Sequence, residues 1–253
     1  YFSTYIQQNI EAASWATSAT VAFSAIFATA GSILGGAIID RLGKRKPFIC
    51  WGYVIWGLLT MAFALFGNNP YNQATTPIIL IVWIFVAMDS IMSFVGSVSN
   101  DAAYNAWIND VPAITNRGRV DVLLSIFPLA AMIIILLGFA GFAKPGSWRF
   151  FFGVLGAIPA VCGMAGLLFF RDSARLKPSL DGPYMSQVVY GFRWKNILKN
   201  KMVYVCFLGS MFGSLAMQLW QPYMISLIVD TLGIDYVIPG GIVVVVASAL
   251  SVA

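Results

Sequence analysis

Six apolar runs, near 13–39, 47–67, 77–99, 122–143, 149–170 and 202–229, with a partial one from 237, dictate what this sequence can become. A helix needs about 20 residues to cross about 30 Å of hydrocarbon, and each complete run is long enough. Only 10% of the residues are charged, against about a quarter in a soluble domain. The expected fold class is all-α, a polytopic membrane protein that crosses the bilayer several times.

The few charges fix the orientation. Arg41, Lys44, Arg45 and Lys46 follow the first run, and 67–76 holds no Lys or Arg. Arg117 and Arg119 lie ahead of the run at 122. Lys144 and Arg149 flank its far end, and seven more basic residues fill 171–201. Alternate connectors thus hold thirteen of the fifteen Lys and Arg residues. Basic loops stay cytoplasmic, so the first visible run passes from outside to inside. That direction needs something upstream to deliver Tyr1 to the outer face, most simply one more helix. The partial run at the other end stops without a polar flank. The chain is therefore expected to be a fragment lacking the first helix and the last ones.

The same pattern excludes several functions. A net charge of +5 would suit nucleic acid, but the basic residues sit in short loops between spans. Histidine is absent, and Cys50, Cys162 and Cys206 lie far apart in apolar segments, which argues against a metal site or a disulfide framework. No Walker loop or nucleophile elbow is present, and an enzyme is not expected. A retinal protein would need a lysine deep in its last helix, and none lies between Met202 and Ala253.

Three regions are expected: a transmembrane bundle over 1–170, a cytoplasmic linker over 171–201, and the start of a second bundle over 202–253. Pro178, Gly182 and Pro183 punctuate the linker. Beyond them Tyr190, Trp194, Ile197 and Leu198 fall at helical spacing among Arg193, Lys195 and Lys199. This is either a basic helix on the inner membrane surface or a solvated linker helix. With one helix restored upstream, six would precede the linker, which implies two bundles of six.

The loop after the first run reads Gly36-Ala-Ile-Ile-Asp40-Arg41-Leu-Gly43-Lys44-Arg45-Lys46-Pro47. Gly36 would admit a close helix neighbour. Asp40 could pair with an arginine or a helix N-terminus, and Gly43 permits a tight turn. This resembles the G-x-x-x-D-R-x-G-R-[RK] loop between the second and third helices of the major facilitator superfamily, and both position and sidedness agree. Asn100-Asp101-Ala-Ala-Tyr104-Asn105-Ala-Trp107-Ile-Asn-Asp110-Val-Pro112, with Arg117-Gly-Arg119 after it, is similar to the end of helix four in the glycoside–pentoside–hexuronide:cation symporters, the melibiose permease-like family. Gly43-Lys-Arg-Lys-Pro47-Phe48 and Gln221-Pro222-Tyr223 add to that likeness. The resemblance implies two pseudo-symmetric six-helix bundles, with helices two to seven and part of eight present. It also implies a loop that controls conformation, comprising Gly36, Asp40, Arg41, Gly43, Lys44, Arg45, Arg117 and Arg119. Three positions depart from the family. Its acidic pair on helix two is replaced by Ala28 and Ser32, and its sugar-binding arginine on helix five by Phe127. The departures turn the expectation from Na⁺ towards H⁺ as coupling ion.

Within the apolar runs the carboxylates are the sharpest clue. A carboxylate in hydrocarbon costs several kcal/mol, so it should be neutralised, paired or open to a water-filled cavity. Asp89 sits mid-span and Asp101 about 18 Å further along at about 1.5 Å per residue. At about 100° per residue, Asp89, Ser90, Ser93, Ser97, Asn100, Asp101, Tyr104 and Asn105 share an arc of about 160°. Such a stripe lines a polar cavity or forms a hydrogen-bonded helix seam. Asp101 and Asp89 are the candidates for proton or cation coupling, and Asn100, Tyr104 and Asn105 for substrate contact. Gln218, Trp220, Gln221 and Tyr223 in the last complete run, near Pro222, offer amides and aromatic faces to a polyhydroxylated ligand. The aromatics alternatively form an interfacial belt. Gly31–Gly35 and Gly209–Gly213 are expected to be packing surfaces.

The expected function is cation-coupled symport of a sugar or glycoside by alternating access, in the plasma or inner membrane. No cofactor is needed beyond the coupling ion, H⁺ or Na⁺, and no nucleic acid is bound. The partners are a small carbohydrate and the lipid bilayer, and the working unit is a monomer. The competing expectation is an exporter of drugs or other amphiphilic compounds.

Overall fold

In the computed structural model, the described residues are Tyr5, 14–65, 78–112, 116–135, 138, 147–172 and 194–220. They form helices α1 (Ser14–Leu42), α2 (Lys46–Ala62, tightening to a 3₁₀ turn over Phe63–Leu65) and α3 (Ile78–Gly96). A π-helical segment (Ser97–Tyr104) runs from α3 straight into α4 (Asn105–Asp110). Next come α5 (Arg117–Ile134), α6 (Trp148–Phe169), α7 (Trp194–Lys199) and α8 (Lys201–Trp220). No strand occurs among the described residues. Four helical stretches there are long and apolar enough to cross a membrane: Trp15–Leu42, Lys46–Leu65, Ile79–Asp110 and Trp148–Phe169. The fold is all-α and polytopic, as its apolar runs require.

Local sequence explains the sharp turn from α1 to α2. Gly43 adopts φ 60, a left-handed conformation that costs glycine nothing, and its N–H closes the helix on Ile39 O at 3.0 Å. Pro47 follows in the first turn of α2, where its missing N–H is no loss. The Asp172 carboxylate at the end of α6 accepts the Arg45 N–H at 3.2 Å and the Lys46 N–H at 2.8 Å. Two orphan donors of α2 are thereby satisfied by a residue 126 positions away.

Helix α2 lies against α6, and α1 lies against α3 and the π segment. Small residues set both contacts. A Cβ on Gly57 would stand 2.5 Å from Gly156 O, and one on Gly163 2.7 Å from Cys50 O. On α1, Gly31 abuts the Phe94 carbonyl and Gly35 the Val98 side chain, at 2.6 and 2.9 Å from an added Cβ. Gly36 makes no such close approach, its added Cβ standing 3.9 Å from Ala102 Cβ. One residue turns a helix by about 100°, so the close contact belongs to Gly35 instead. Gly209 and Gly213 meet nothing within 4 Å among the described residues.

The connectivity places the ends of α1, α4 and α6 beside the start of α2, as the alternation of basic loops demands. At the opposite end Tyr5, Phe63, Phe85, Trp148, Phe151 and Phe152 form a buried aromatic cluster. Ring centroids there lie 4.7 Å apart for Phe63–Phe85 and 5.2 Å apart for Tyr5–Trp148.

Two spans differ from the apolar runs. The run expected to stop near 99 continues as helix to Asp110, and α5 begins at Arg117 rather than 122. Helix that protrudes into water needs no apolar residues, so hydropathy stops short of it. The linker helix is observed over Trp194–Lys199, while Tyr190, Arg193 and most of 171–201 lie outside the described residues.

Candidate functional site

The π segment carries the polar centre. At its end the Asn105 N–H reaches back five residues to Asn100 O, which leaves the Asp101 carbonyl without its usual α-helical partner. The Asn105 side-chain amide takes that carbonyl instead, at 3.3 Å. Serine, asparagine and aspartate side chains readily compete in this way for the backbone, and the segment 97–105 is rich in them.

Around this segment the side chains join into one network. Tyr53 on α2 donates its hydroxyl to Asn100 Oδ1 at 2.8 Å. The Asn100 amide donates to Asp101 Oδ1 at 3.2 Å, and Ser97 Oγ donates to Asp101 Oδ2 at 2.6 Å. Asp101 itself is exposed. A carboxylate held by two donors, with an open side, can take a proton or a small cation without the bundle unpacking.

Asp89 is placed differently. It is 7% exposed, and Ser24 on α1 donates to its Oδ2. Ser90, its neighbour in sequence, bonds back to Val86 O at 2.7 Å. The polar stripe is therefore divided. Its upper part meets α1, its middle meets α2 through Asn100, and Asp101 and Asn105 are open. A uniform turn of about 100° per residue does not hold through the π segment, which is why a single arc does not describe it.

Below the π segment, Tyr104 stacks with Trp107 at 6.3 Å, and Trp107 packs on Phe170 at 4.6 Å while donating its indole N–H to Arg171 O at 3.1 Å. Asn109 donates to Asn105 O at 2.9 Å, and Arg117 donates to Asn109 O at 2.8 Å. A continuous path thus joins the polar centre to the loop ahead of α5.

The basic loop after α1 ends in a second cluster. Arg45, 9% exposed, places Nε 2.8 Å from Asp110 Oδ2 and Nη2 3.6 Å from Asp40 Oδ1. The Nε contact is off the N–H direction, so it is an ion pair without an aligned hydrogen bond. Arg41 is half-buried, and Lys44 and Arg119 are exposed. Asp40 caps no neighbouring helix N-terminus among the described residues. Asp172 does that for α2.

A family model of the Major Facilitator Superfamily matches residues 1–253. The chain belongs to the Major Facilitator Superfamily. It is thus a multi-pass membrane transporter, whose partners are small-molecule substrates and the lipid bilayer. No curated protein and no solved structure matches the chain. In this superfamily member Asp40 and Arg45 of the loop motif come together with Asp110, which lies 65 positions beyond Arg45 in the sequence.

Sequence reasoning missed four participants. Ser24 and Tyr53 are polar residues in otherwise apolar spans, a signal that was open to view. Asp110 stood in a quoted motif without a role, and Asp172 stood at the start of the linker with none assigned. Gln218 and Trp220 fall in the last turn of α8, where only the backbone is described, and Gln221 and Tyr223 lie outside the described residues.

Proposed function

We propose that this transporter takes up a sugar or glycoside together with a cation, H⁺ in preference to Na⁺, by alternating access of two six-helix bundles. The observation that carries this reading is the Tyr53–Asn100–Asp101–Ser97 network, in which a carboxylate open on one side is joined to an amide and a phenol. Asp101 is the leading coupling group, with Asp89 as its partner deeper in the span. Asn100, Tyr104 and Asn105 are the adjoining substrate contacts, joined by Gln218, Trp220, Gln221 and Tyr223 from the second bundle. Amides and aromatic faces are the groups that bind hydroxyls and sugar C–H surfaces. The motifs shared with the glycoside–pentoside–hexuronide:cation symporters support the same substrate class. The regions 1–170, 171–201 and 202–253 are first bundle, linker and start of the second. The protein works as a monomer in the plasma or inner membrane, with no cofactor but the coupling ion.

The test uses de-energised cells that express the full-length protein in weak buffer, with external pH recorded as a panel of sugars is added. One sugar should raise external pH, and Asp101→Asn should abolish the rise while the protein remains in the membrane. Sugar accumulation that depends on Na⁺ without a pH change would overturn the ion. No response to any sugar in either salt would overturn the substrate class in favour of an amphiphile exporter.

A further inference from the structure

An apolar groove of about 310 Å³ opens between α2 and the end of α3 with the π segment, walled by Pro47, Phe48, Trp51 and Ile55 from α2, Phe94 from α3 and Val98 from the π segment. Pro47 to Ile55 is eight residues, or about 12 Å of helix. One leaflet of a bilayer is about 15 Å of hydrocarbon. Pro47 stands at the cytoplasmic start of α2, so the groove runs along the inner leaflet for nearly its full depth.

Its direction identifies the occupant. Trp51 and Ile55 each stand about 160° around α2 from Tyr53, which faces the polar network through Asn100. Cys50, Val54 and Gly57 are taken up by α6. The groove therefore opens away from both the polar centre and α6. Trp51 is 57% exposed and Ile55 43%. The single hydroxyl in its wall, on Ser99, donates to its own backbone at Val95 O, 2.8 Å away. A hydrocarbon chain fits these walls, where besides Ser99 the one side-chain donor is the Trp51 indole N–H.

The cytoplasmic mouth is basic. Lys46 immediately precedes Pro47, and the exposed Lys44 stands two residues before Lys46. The carboxylates at this end are already engaged. Asp172 accepts the backbone N–H groups of Arg45 and Lys46, while Asp40 and Asp110 flank the Arg45 guanidinium. Lysines above an inner-leaflet groove attract a negative headgroup rather than a zwitterionic one.

We propose that this groove binds one anionic phospholipid of the cytoplasmic leaflet, with an acyl chain between α2 and α3 and the phosphate at Lys44 and Lys46. The site is separate from the transport pathway, and its test does not depend on what the protein carries.

The full-length protein, purified in mild detergent, is given equal phosphatidylglycerol and phosphatidylcholine with identical chains, and retained lipid is counted by native mass spectrometry. One lipid should remain bound, with phosphatidylglycerol favoured by about fivefold or more. Ile55→Trp fills the groove and should remove the retained lipid. Leu168→Trp adds the same bulk on an outward face of α6, where Leu168 is 80% exposed, and should leave retention unchanged. Lys44→Gln with Lys46→Gln should keep a lipid but equalise the two headgroups. Equal retention of both headgroups by the unaltered protein, or full retention by Ile55→Trp, overturns the proposal. A second measurement needs no bulky substitution. Phosphatidylglycerol with brominated chains should quench the fluorescence contributed by Trp51, taken as the difference from Trp51→Phe, and no quenching of that difference overturns it equally.

Discussion

Arg45 Nε lies 2.8 Å from Asp110 Oδ2, which ties the start of α2 to the end of the long helix that began at Ile78. Asp40 stands on the other side of the same guanidinium, so one arginine holds the adjoining ends of three helical stretches. Removing one partner of a buried ion pair costs about 3–5 kcal/mol, and exposed pairs are worth far less. With the Asp110 side chain 34% exposed, Arg45→Ala should cost about 2 kcal/mol. The check is thermal unfolding of the full-length protein in detergent. The exchange Arg45→Asp with Asp110→Arg should recover part of the loss, and Asp110→Asn alone should show most of it.

Tyr53→Phe deletes one hydroxyl and leaves Asn100 Oδ1 without its donor on α2. A hydrogen bond of this kind contributes about 1 kcal/mol. Stability should therefore change little, while apparent affinity for the transported substrate falls by about fivefold. Uptake kinetics at several substrate concentrations separate the two. An unchanged half-saturation concentration would remove Tyr53 from the binding region.

At Gly57 a methyl group already collides with the backbone of α6, so Gly57→Val should push α2 and α6 apart. Overpacking costs about 1–3 kcal/mol, and here the obstacle is backbone rather than a movable side chain. The expected result is a lower yield of monodisperse protein on size exclusion. Gly209→Val, which meets nothing within 4 Å among the described residues, serves as the comparison and should behave as the unaltered chain.

Asp172→Ala removes the acceptor for the first two N–H groups of α2. Loss of a helix N-cap costs about 1 kcal/mol, and this one also releases the end of α6 from α2. The melting temperature in detergent should drop, with Asp172→Asn recovering about half of the difference because its carbonyl still accepts. A drop of equal size for both variants would mean that charge, not the acceptor, matters.

The spans were legible because hydrocarbon imposes a simple condition on composition, and α1, α2 and α6 fall where the apolar runs lie. The loop Gly36–Pro47 was legible too, since a charge cluster after a span has one side of the membrane to occupy. The continuation from Ala106 to Asp110 was not, because a helix standing in water leaves no hydropathy trace. The partners of Asp89 and Asn100 were hidden for another reason. Facing Asp89 with Ser24, and Asn100 with Tyr53, requires knowing how two helices are rotated, and no single-helix period contains that. The π segment compounds this by changing the turn per residue within the stripe.

The two ends of the described bundle are fastened by different forces. Interlocked rings around Tyr5, Phe85 and Trp148 depend on dispersion and exclusion of water, which salt and pH barely alter. The end at Arg45, Asp40, Asp110 and Asp172 is fastened by charge, which ions, headgroups and a neighbouring bundle can all compete for. The aromatic end is thus built as a pivot and the charged end as a clasp. Parting the charged end takes the unfastening of a few ions, while the aromatic joint holds its helices in register.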